Sequence, residues 1–498
     1  MNNIALIVLN DKELKLSIYK TNNGRSRLIE ERSQPFKLGE EITVEELLRP
    51  KTKTELVEVL KLYRKMIETY KATKIIAVAS NVLTRARNYH GFFEEIYNNT
   101  GISFSILSDE EVVKHIYAST VNNIDNSKGY IIHIDAYKTS LIKYNRRTIL
   151  GSKTFEFGVV NLLTDAEGNS RNIDEMTEIV KKEISGTDII SSMEEDSSFV
   201  GTGAPFLAFG HIAKKIARYP LDIDNNYVVS KDIMEQTVNF IKGIDLDKIK
   251  KIKGIAETDA TCIGSGLAII KAFYEVLNAQ EVAVSTASVS EGLIHSSIAL
   301  PAQEKFNDLL ANSLENYYEF VRDEYSINHN VYNMALILFK QLKVMHKLPR
   351  FYVKPLRIAA QMYDSGKVIN YDDYTKHGFD AILYSGITGV SHRELLIAAF
   401  ICLCQNLDDF SLSDWMKYKD IVTDEDLDAV RKLGVIVKLA DALNASKKPV
   451  ITDIICDILG DSIIMKTVVE GDATFEIMEG MKVATDYRKV FKKSLQII

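Results

Sequence analysis

Cysteine is scarce in this chain: the four residues Cys262, Cys402, Cys404 and Cys456 share no CxxC spacing. That argues against a disulfide framework and against a structural zinc site. Long apolar runs are missing as well. No stretch reaches about 18 uninterrupted apolar residues, so no membrane-spanning helix is expected. The N-terminal MNNIALIVLN has no basic region ahead of its short apolar stretch and meets charge at Asp11 and Lys12, which is not how a secretory leader reads. A cytoplasmic location is the expectation. Positive charge is not in excess either, with 61 Lys and Arg against 68 Asp and Glu and a net charge of −7. This balance argues against a nucleic-acid-binding surface.

What is present suffices for about three domains. Alternating apolar and polar residues mark strands at Ile4 to Leu9, Leu14 to Lys20 and Ser26 to Gln34, with Asn22-Asn23-Gly24 as a turn. A helix follows over Val44 to Tyr70, then a strand at Lys74 to Ala79, a helix through Phe92 to Asn98 and a strand at Ile102 to Leu107. From Gly129 the order βββαβαβ recurs, with strands at Tyr130 to Ile134, Ser140 to Tyr144 and Ser152 to Phe157. Helices around Val159 to Leu163 and Ile173 to Ile184, a strand at Ser198 to Val200, a helix over Pro205 to Arg218 and a strand at Glu281 to Ser285 complete this copy, with a helical insertion at Ser230 to Leu277. After Ile298, with Pro301 as punctuation, helical spacing dominates as far as Leu443. Two strands, Val450 to Leu459 and Ser462 to Val469, and a basic helix over Phe475 to Leu495 end the chain. The expected fold is α/β: two ribonuclease-H-like lobes of the actin-like ATPase superfold at 1–125 and 126–300, an all-α domain at 301–446, and a small β-β-α tail at 447–498.

The order and spacing of several stretches resemble the exopolyphosphatase and guanosine pentaphosphate phosphohydrolase (Ppx/GppA) family. They are ATKIIAVASNVLTRARN (Ala72 to Asn88), ISFSILSDEEVVKHIY (Ile102 to Tyr117), FVGTGAPFLAF (Phe199 to Phe209), SVSEGL (Ser288 to Leu293) and KLADALN (Lys438 to Asn444). The resemblance implies removal of a terminal phosphate from polyphosphate or guanosine pentaphosphate in a cleft between two lobes, with magnesium as the usual cation. It also implies a helical domain similar to the HD phosphohydrolases and a homodimer as the default assembly.

The residues that would carry this chemistry are largely replaced. The first phosphate loop, Asp-x-Gly-Ser-Asn-Ser in the family, reads Val8-Leu9-Asn10-Asp11-Lys12-Glu13, without the acid or the glycine at the matching positions. The second, Asp-Ile-Gly-Gly-Gly-Ser-Thr-Glu, reads His133 to Ser140, with Tyr137 where a glycine would let backbone approach phosphate. Asp135 and Lys138 are the groups there that could meet a metal or an anion. At the family's general base stands Val112, which accepts no proton. Glu111 is the candidate catalytic residue left. It lies one position earlier, about 100° around a helix, and Ser108-x-x-Glu111 also has the form of a capping box. Thr84, Asn161, Asp259 and Ser290 stand where the family has arginines, removing bidentate phosphate contacts.

Some phosphate-facing residues persist. Gly201-Thr202-Gly203 leads from a strand into a helix with Pro205 in its first turn, which is either an anion site or a plain structural turn. Glu291-Gly292 persist from a second motif and are equally explicable as a helix start. In the helical region Tyr363 and Gln405 take the places of HD-type histidines. Asp364 and His377 remain, too few for a metal centre, while Asp441 is assigned to helix packing or an interface. Two classes of function stand: a catalytically degenerate binding, regulatory or oligomeric scaffold, or an active phosphohydrolase that uses magnesium. The phosphate-binding candidates are Gly201, Thr202, Gly203, Glu291 and Gly292, and the ligand class is polyphosphate or guanine nucleotide.

Overall fold

The computed structural model describes residues 1–145, 148–164, 169–191, 193–194, 197–255, 260–298, 308–321 and 329–498. Asp259 and Pro301 lie outside the described residues. The chain divides into two compact units, Met1–Leu309 and Leu310–Ile498.

In the first unit, β1 (Asn2–Leu9), β2 (Glu13–Asn22) and β3 (Arg25–Pro35) form an antiparallel meander, and β4 (Ala72–Ser80) and β5 (Ser105–Leu107) add in parallel on the other side of β1. The order is β3-β2-β1-β4-β5. Central β1 is apolar on both faces, with Ile4 to Ile7 all buried, whereas β3 is mostly charged and polar apart from the exposed Leu28 and Ile29, as suits an edge that must not pair with another chain. The helices are α1 (Leu38–Glu45), α2 (Pro50–Thr69), α3 (Tyr89–Thr100) and α4 (Asp109–Val121). The single helix expected over Val44 to Tyr70 is thus two. Glu46 in a left-handed conformation ends α1, and extended Arg49 precedes Pro50, since the residue before proline disfavours the helical region.

The second lobe repeats the plan. Here β6 (Lys128–Ile134), β7 (Thr139–Asn145) and β8 (Thr148–Phe155) form the meander. Then come α5 (Ile173–Ser185), β9 (Ser198–Thr202), α6 (Ala204–Ala217), β10 (Tyr227–Ser230), α7 (Lys231–Lys242), α8 (Ile263–Val276), β11 (Glu281–Val284) and α9 (Val289–Ile298). The sheet order β10-β11-β9-β6-β7-β8 is the first lobe's order with one antiparallel strand added at the edge. Residues Val159 to Leu163 are turns rather than the expected helix. Their leading N–H groups donate to the second loop instead, Val159 to the Asp135 carbonyl at 3.2 Å and Val160 to the Ala136 carbonyl at 2.8 Å.

The second unit is helical around His392–Leu403, which is buried on every side, the mark of a central core helix. Its tail has a three-stranded sheet rather than the expected pair. Ile451–Ile458 pairs antiparallel and Ser494–Ile497 parallel with the middle strand Ser462–Val469. Two helices, Thr474–Lys482 and Ala484–Phe491, replace the one expected.

Candidate functional site

Both β-turns that follow the first strand of each lobe, β1–β2 and β6–β7, open on one cavity of about 220 Å³. The start of α4 and the start of α9 complete its walls through Asp109, Val112, Val289 and Ser290. The topology therefore brings together the replaced loops, Val112 and Ser290, which lie far apart in the chain. Glu111, Glu291 and Gly292 are not among the cavity's lining residues.

The first loop folds on itself. Asn10 Oδ1 accepts from the N–H groups of Lys12 at 2.9 Å and Glu13 at 2.8 Å. In the second loop Asp135 Oδ1 accepts from the Ala136 N–H at 2.8 Å, and the Asp135 N–H donates to the Lys138 carbonyl at 2.9 Å. A phosphate loop works by presenting free N–H groups; these N–H groups are already bonded within their own turns. Asn10 was not singled out in the sequence, although Asn followed by Asp and Lys after an apolar strand is a side-chain turn signal.

The charges are arranged just as differently. Lys138 Nζ lies 2.7 Å from Asp109 and 3.2 Å from Glu156, and Arg85 lies 2.7 Å from Glu156. This chain of ion pairs ties α4 and the segment after β4 to the second loop and β8 of the opposite lobe. Asp11 is only 6% exposed, and burial together with the charge of Asp135 pushes its carboxyl up to about 7. The His133 imidazole is held below its ordinary value by burial, partly offset by Asp135, and its Nδ1 lies 2.9 Å from Thr202 Oγ1.

Glu111 sits in a capping box: its carboxylate accepts the Ser108 N–H at 2.8 Å, and its own N–H donates to Ser108 Oγ at 3.2 Å. Those bonds hold its carboxyl below the usual range. Gly201 lies flat against the Phe206 ring, and Gly203, at φ +99°, lies against the Ile134 carbonyl, so a side chain at either would clash. With Ala204 and Pro205, Gly203 borders a smaller cavity of about 100 Å³ that also touches His133 and Asp135. Gly292 marks a close crossing of α9 over α4, where a Cβ would meet the His115 carbonyl oxygen at 2.2 Å. The Glu291 N–H donates to Ser288 Oγ at 3.2 Å, capping α9.

In the second unit Tyr363 is fully buried and donates to Asp441 Oδ1 at 2.6 Å, while Lys447 Nζ donates to Tyr363 Oη at 2.9 Å and to Asp441 Oδ1 at 2.7 Å. Lys367 Nζ lies 4.9 Å from the Tyr374 ring centroid and 5.8 Å from that of Tyr363. Gln405 is buried and donates its side-chain amide to the Cys402 carbonyl at 3.1 Å.

A model of the Ppx/GppA phosphatase family matches residues 17–300, more than half of the chain. The chain belongs to that family. Among curated Ppx/GppA relatives, the guanosine-5'-triphosphate,3'-diphosphate pyrophosphatase of Aeromonas hydrophila is 25% identical over 362 residues, covering 71% of this chain and 70% of that protein. A putative exopolyphosphatase of Haemophilus influenzae is 21% identical over 302 residues, 59% of this chain and 90% of that protein. Among solved structures, the Aquifex aeolicus Ppx/GppA family member superposes with a TM-score of 0.52 at 20% identity, over 60% of this chain and 97% of that one. An exopolyphosphatase from Cytophaga hutchinsonii gives 0.52 at 15% identity, over 60% and 98%. These two likenesses concern the fold alone. Among the described residues, no helix is long and apolar enough to cross a membrane.

Family membership brings magnesium into question. The ion ordinarily takes one or two carboxylates and completes its shell with water and substrate phosphate. Among the described residues no group of three or more His, Cys, Asp or Glu is placed to hold a metal, a number magnesium does not need; what tells against the site is that the Lys12, Glu13 and Ala136 N–H groups of the loops that would hold the phosphate are bonded internally. The cleft does not fit a magnesium–phosphate site. Nor does the Tyr363 cluster fit a metal, since the Lys447 ammonium already sits against the Asp441 carboxylate.

Proposed function

We propose that this Ppx/GppA-family protein has given up phosphoanhydride hydrolysis and acts as a binding, regulatory or oligomeric scaffold. The observation that carries this reading is the self-capping of both loops by Asn10 and Asp135. It engages the Lys12, Glu13 and Ala136 N–H groups, donors of the kind that would stabilise a transferred phosphoryl group. Val112 at the base position and the commitment of Lys138 to Asp109 and Glu156 support it. Groups that act as a unit in catalysis fail as a unit.

Phosphate release from polyphosphate and guanosine pentaphosphate, with magnesium or manganese, is the test. No turnover is expected. Rates in the ordinary range of roughly 1–10³ s⁻¹, lost in Glu111→Gln, would overturn the reading in favour of an active phosphohydrolase, the alternative that the activities named for the relatives support. A cytoplasmic homodimer is part of the proposal, checked by light scattering on the purified chain. Binding of polyphosphate or guanine nucleotide without turnover is assigned to Gly201, Thr202 and Gly203, and thermal-shift titration reads it directly.

A further inference from the structure

The two lobes of the first unit are joined in two chemically different ways. On one side they exchange helices. In α4, from the first lobe, Val113, Ile116 and Tyr117 share a buried apolar cluster with Ile131, Ile142 and Val200 of the second sheet. In α9, from the second lobe, Leu293 and Ile294 share one with Ile4, Leu6 and Val78 of the first sheet. The two helices cross closely at Gly292. Parting this joint would expose core.

The second joint is made by the β6–β7 loop, and it is small and largely polar. Tyr137 reaches from the second lobe to the first: it clusters with Val82, and its hydroxyl lies so close to Gly39 in α1 that a Cβ there would come within 2.6 Å of it. Beside it Lys138 Nζ lies 2.7 Å from Asp109, and Arg85 lies 2.7 Å from Glu156. Asp109 is fixed in turn by Asn81, whose Nδ2 donates to its Oδ1 at 2.5 Å. Val82, Asp109, Tyr137 and Lys138 all line the cavity of about 220 Å³, so this joint closes over it. Its carboxylates face water, the Glu156 side chain being 66% and that of Asp109 36% exposed. Exposed ion pairs hold weakly and yield to salt.

We propose that the β6–β7 loop is a latch that shuts the cleft. While Lys138 holds Asp109 and Arg85 holds Glu156, Tyr137 bars the cavity; when these pairs break, the lobes swing apart about the α4–α9 crossing. The contrast between the two joints carries this inference. Opening at the exchanged helices gives up buried apolar surface, whereas opening at the latch gives up partly exposed ion pairs and one aromatic contact, so motion is confined to the latch side. Tyr137, an obstruction in a phosphate loop, has a role here as the bar. The latch regulates access to the cleft of the scaffold reading and stands whether or not that cleft hydrolyses phosphoanhydrides.

The test reads access to the cleft by thiol labelling of the full chain. Ser290 lines the cavity, and in a Ser290→Cys background fluorescein maleimide, too bulky for the closed cavity, is expected to label that position slowly, as followed by peptide mass spectrometry. Raising sodium chloride from about 0.05 M to about 1 M is expected to speed labelling about three- to tenfold. Lys138→Met is expected to reach the faster rate already at low salt. Gly39→Ala tests the steric part from the other lobe without touching a charge: its methyl group displaces the Tyr137 hydroxyl, with the same acceleration. Lys53→Met, which removes an ion pair with Glu95 inside the first lobe, is expected to label at the parent rate. A parent rate indifferent to salt, or parent-like rates in both Lys138→Met and Gly39→Ala, overturns the latch. Equal acceleration in Lys53→Met overturns it too, since the effect would then be a general loss of stability. Phosphate release is measured separately on the parent chain, so failure of the latch and failure of the scaffold reading give different results.

Discussion

At the scale of single residues, Asp11 is the side chain whose environment costs most. Its carboxyl titrates near 7 in the folded chain against an ordinary value of 3.8, so folding takes up a proton between those values. The contribution to stability is complete below about pH 4 and is lost as pH rises through 7, reaching at most about 4 kcal/mol. Asp11→Asn is therefore expected to melt higher than the parent at pH 8, with the gap closing towards pH 4. Urea titrations at both pH values check this, and a variant less stable at pH 8 would contradict it. The sequence showed Asp11 only as a charge in a hairpin turn. Its burial follows from the α1 segment lying against the loop, where the Gly39 N–H reaches the Asp11 carbonyl at 2.9 Å, and that approach leaves no local signature. Glu111 is the opposite case. Ser108 and Glu111 define a cap by spacing alone, and both reciprocal bonds are present.

At the scale of elements, strands and caps were legible because their signals are local. The alternation in β1 and β2 and the recurrence of the meander in the second lobe read directly from sequence, whereas Pro50, which heads α2, was passed over in one helix expected from Val44 to Tyr70. The strands β10 and Ser494–Ile497 were missed because each is four residues long and is completed by its pairing partner. The glycines show the same limit. Gly292 looked like a remnant of phosphate recognition, yet its place is explained by the crossing of α9 over α4. Gly292→Ala would push a methyl group into the His115 backbone and is expected to cost about 1–3 kcal/mol, the usual range for overpacking. Gly91, within α3, has nothing within 4 Å of its would-be Cβ. There alanine is expected to stabilise by about 0.5–1 kcal/mol through helix propensity. Denaturant midpoints of the two variants should move in opposite directions, and a shared direction would break the packing account of Gly292.

For the whole molecule, the division into Met1–Leu309 and Leu310–Ile498 carries a consequence for folding. The first unit holds its own apolar clusters, one under each face of the two sheets, and the family match at 17–300 falls inside it. The second has a core centred on His392–Leu403 and on Asp424–Ala442, whose residues Leu433 to Val437 are buried throughout. A unit with its own core can fold alone. Residues 1–309, expressed as a fragment, are expected to keep a cooperative thermal transition, read by circular dichroism melts. A fragment that fails to fold would remove the basis for treating the two lobes as a self-sufficient scaffold.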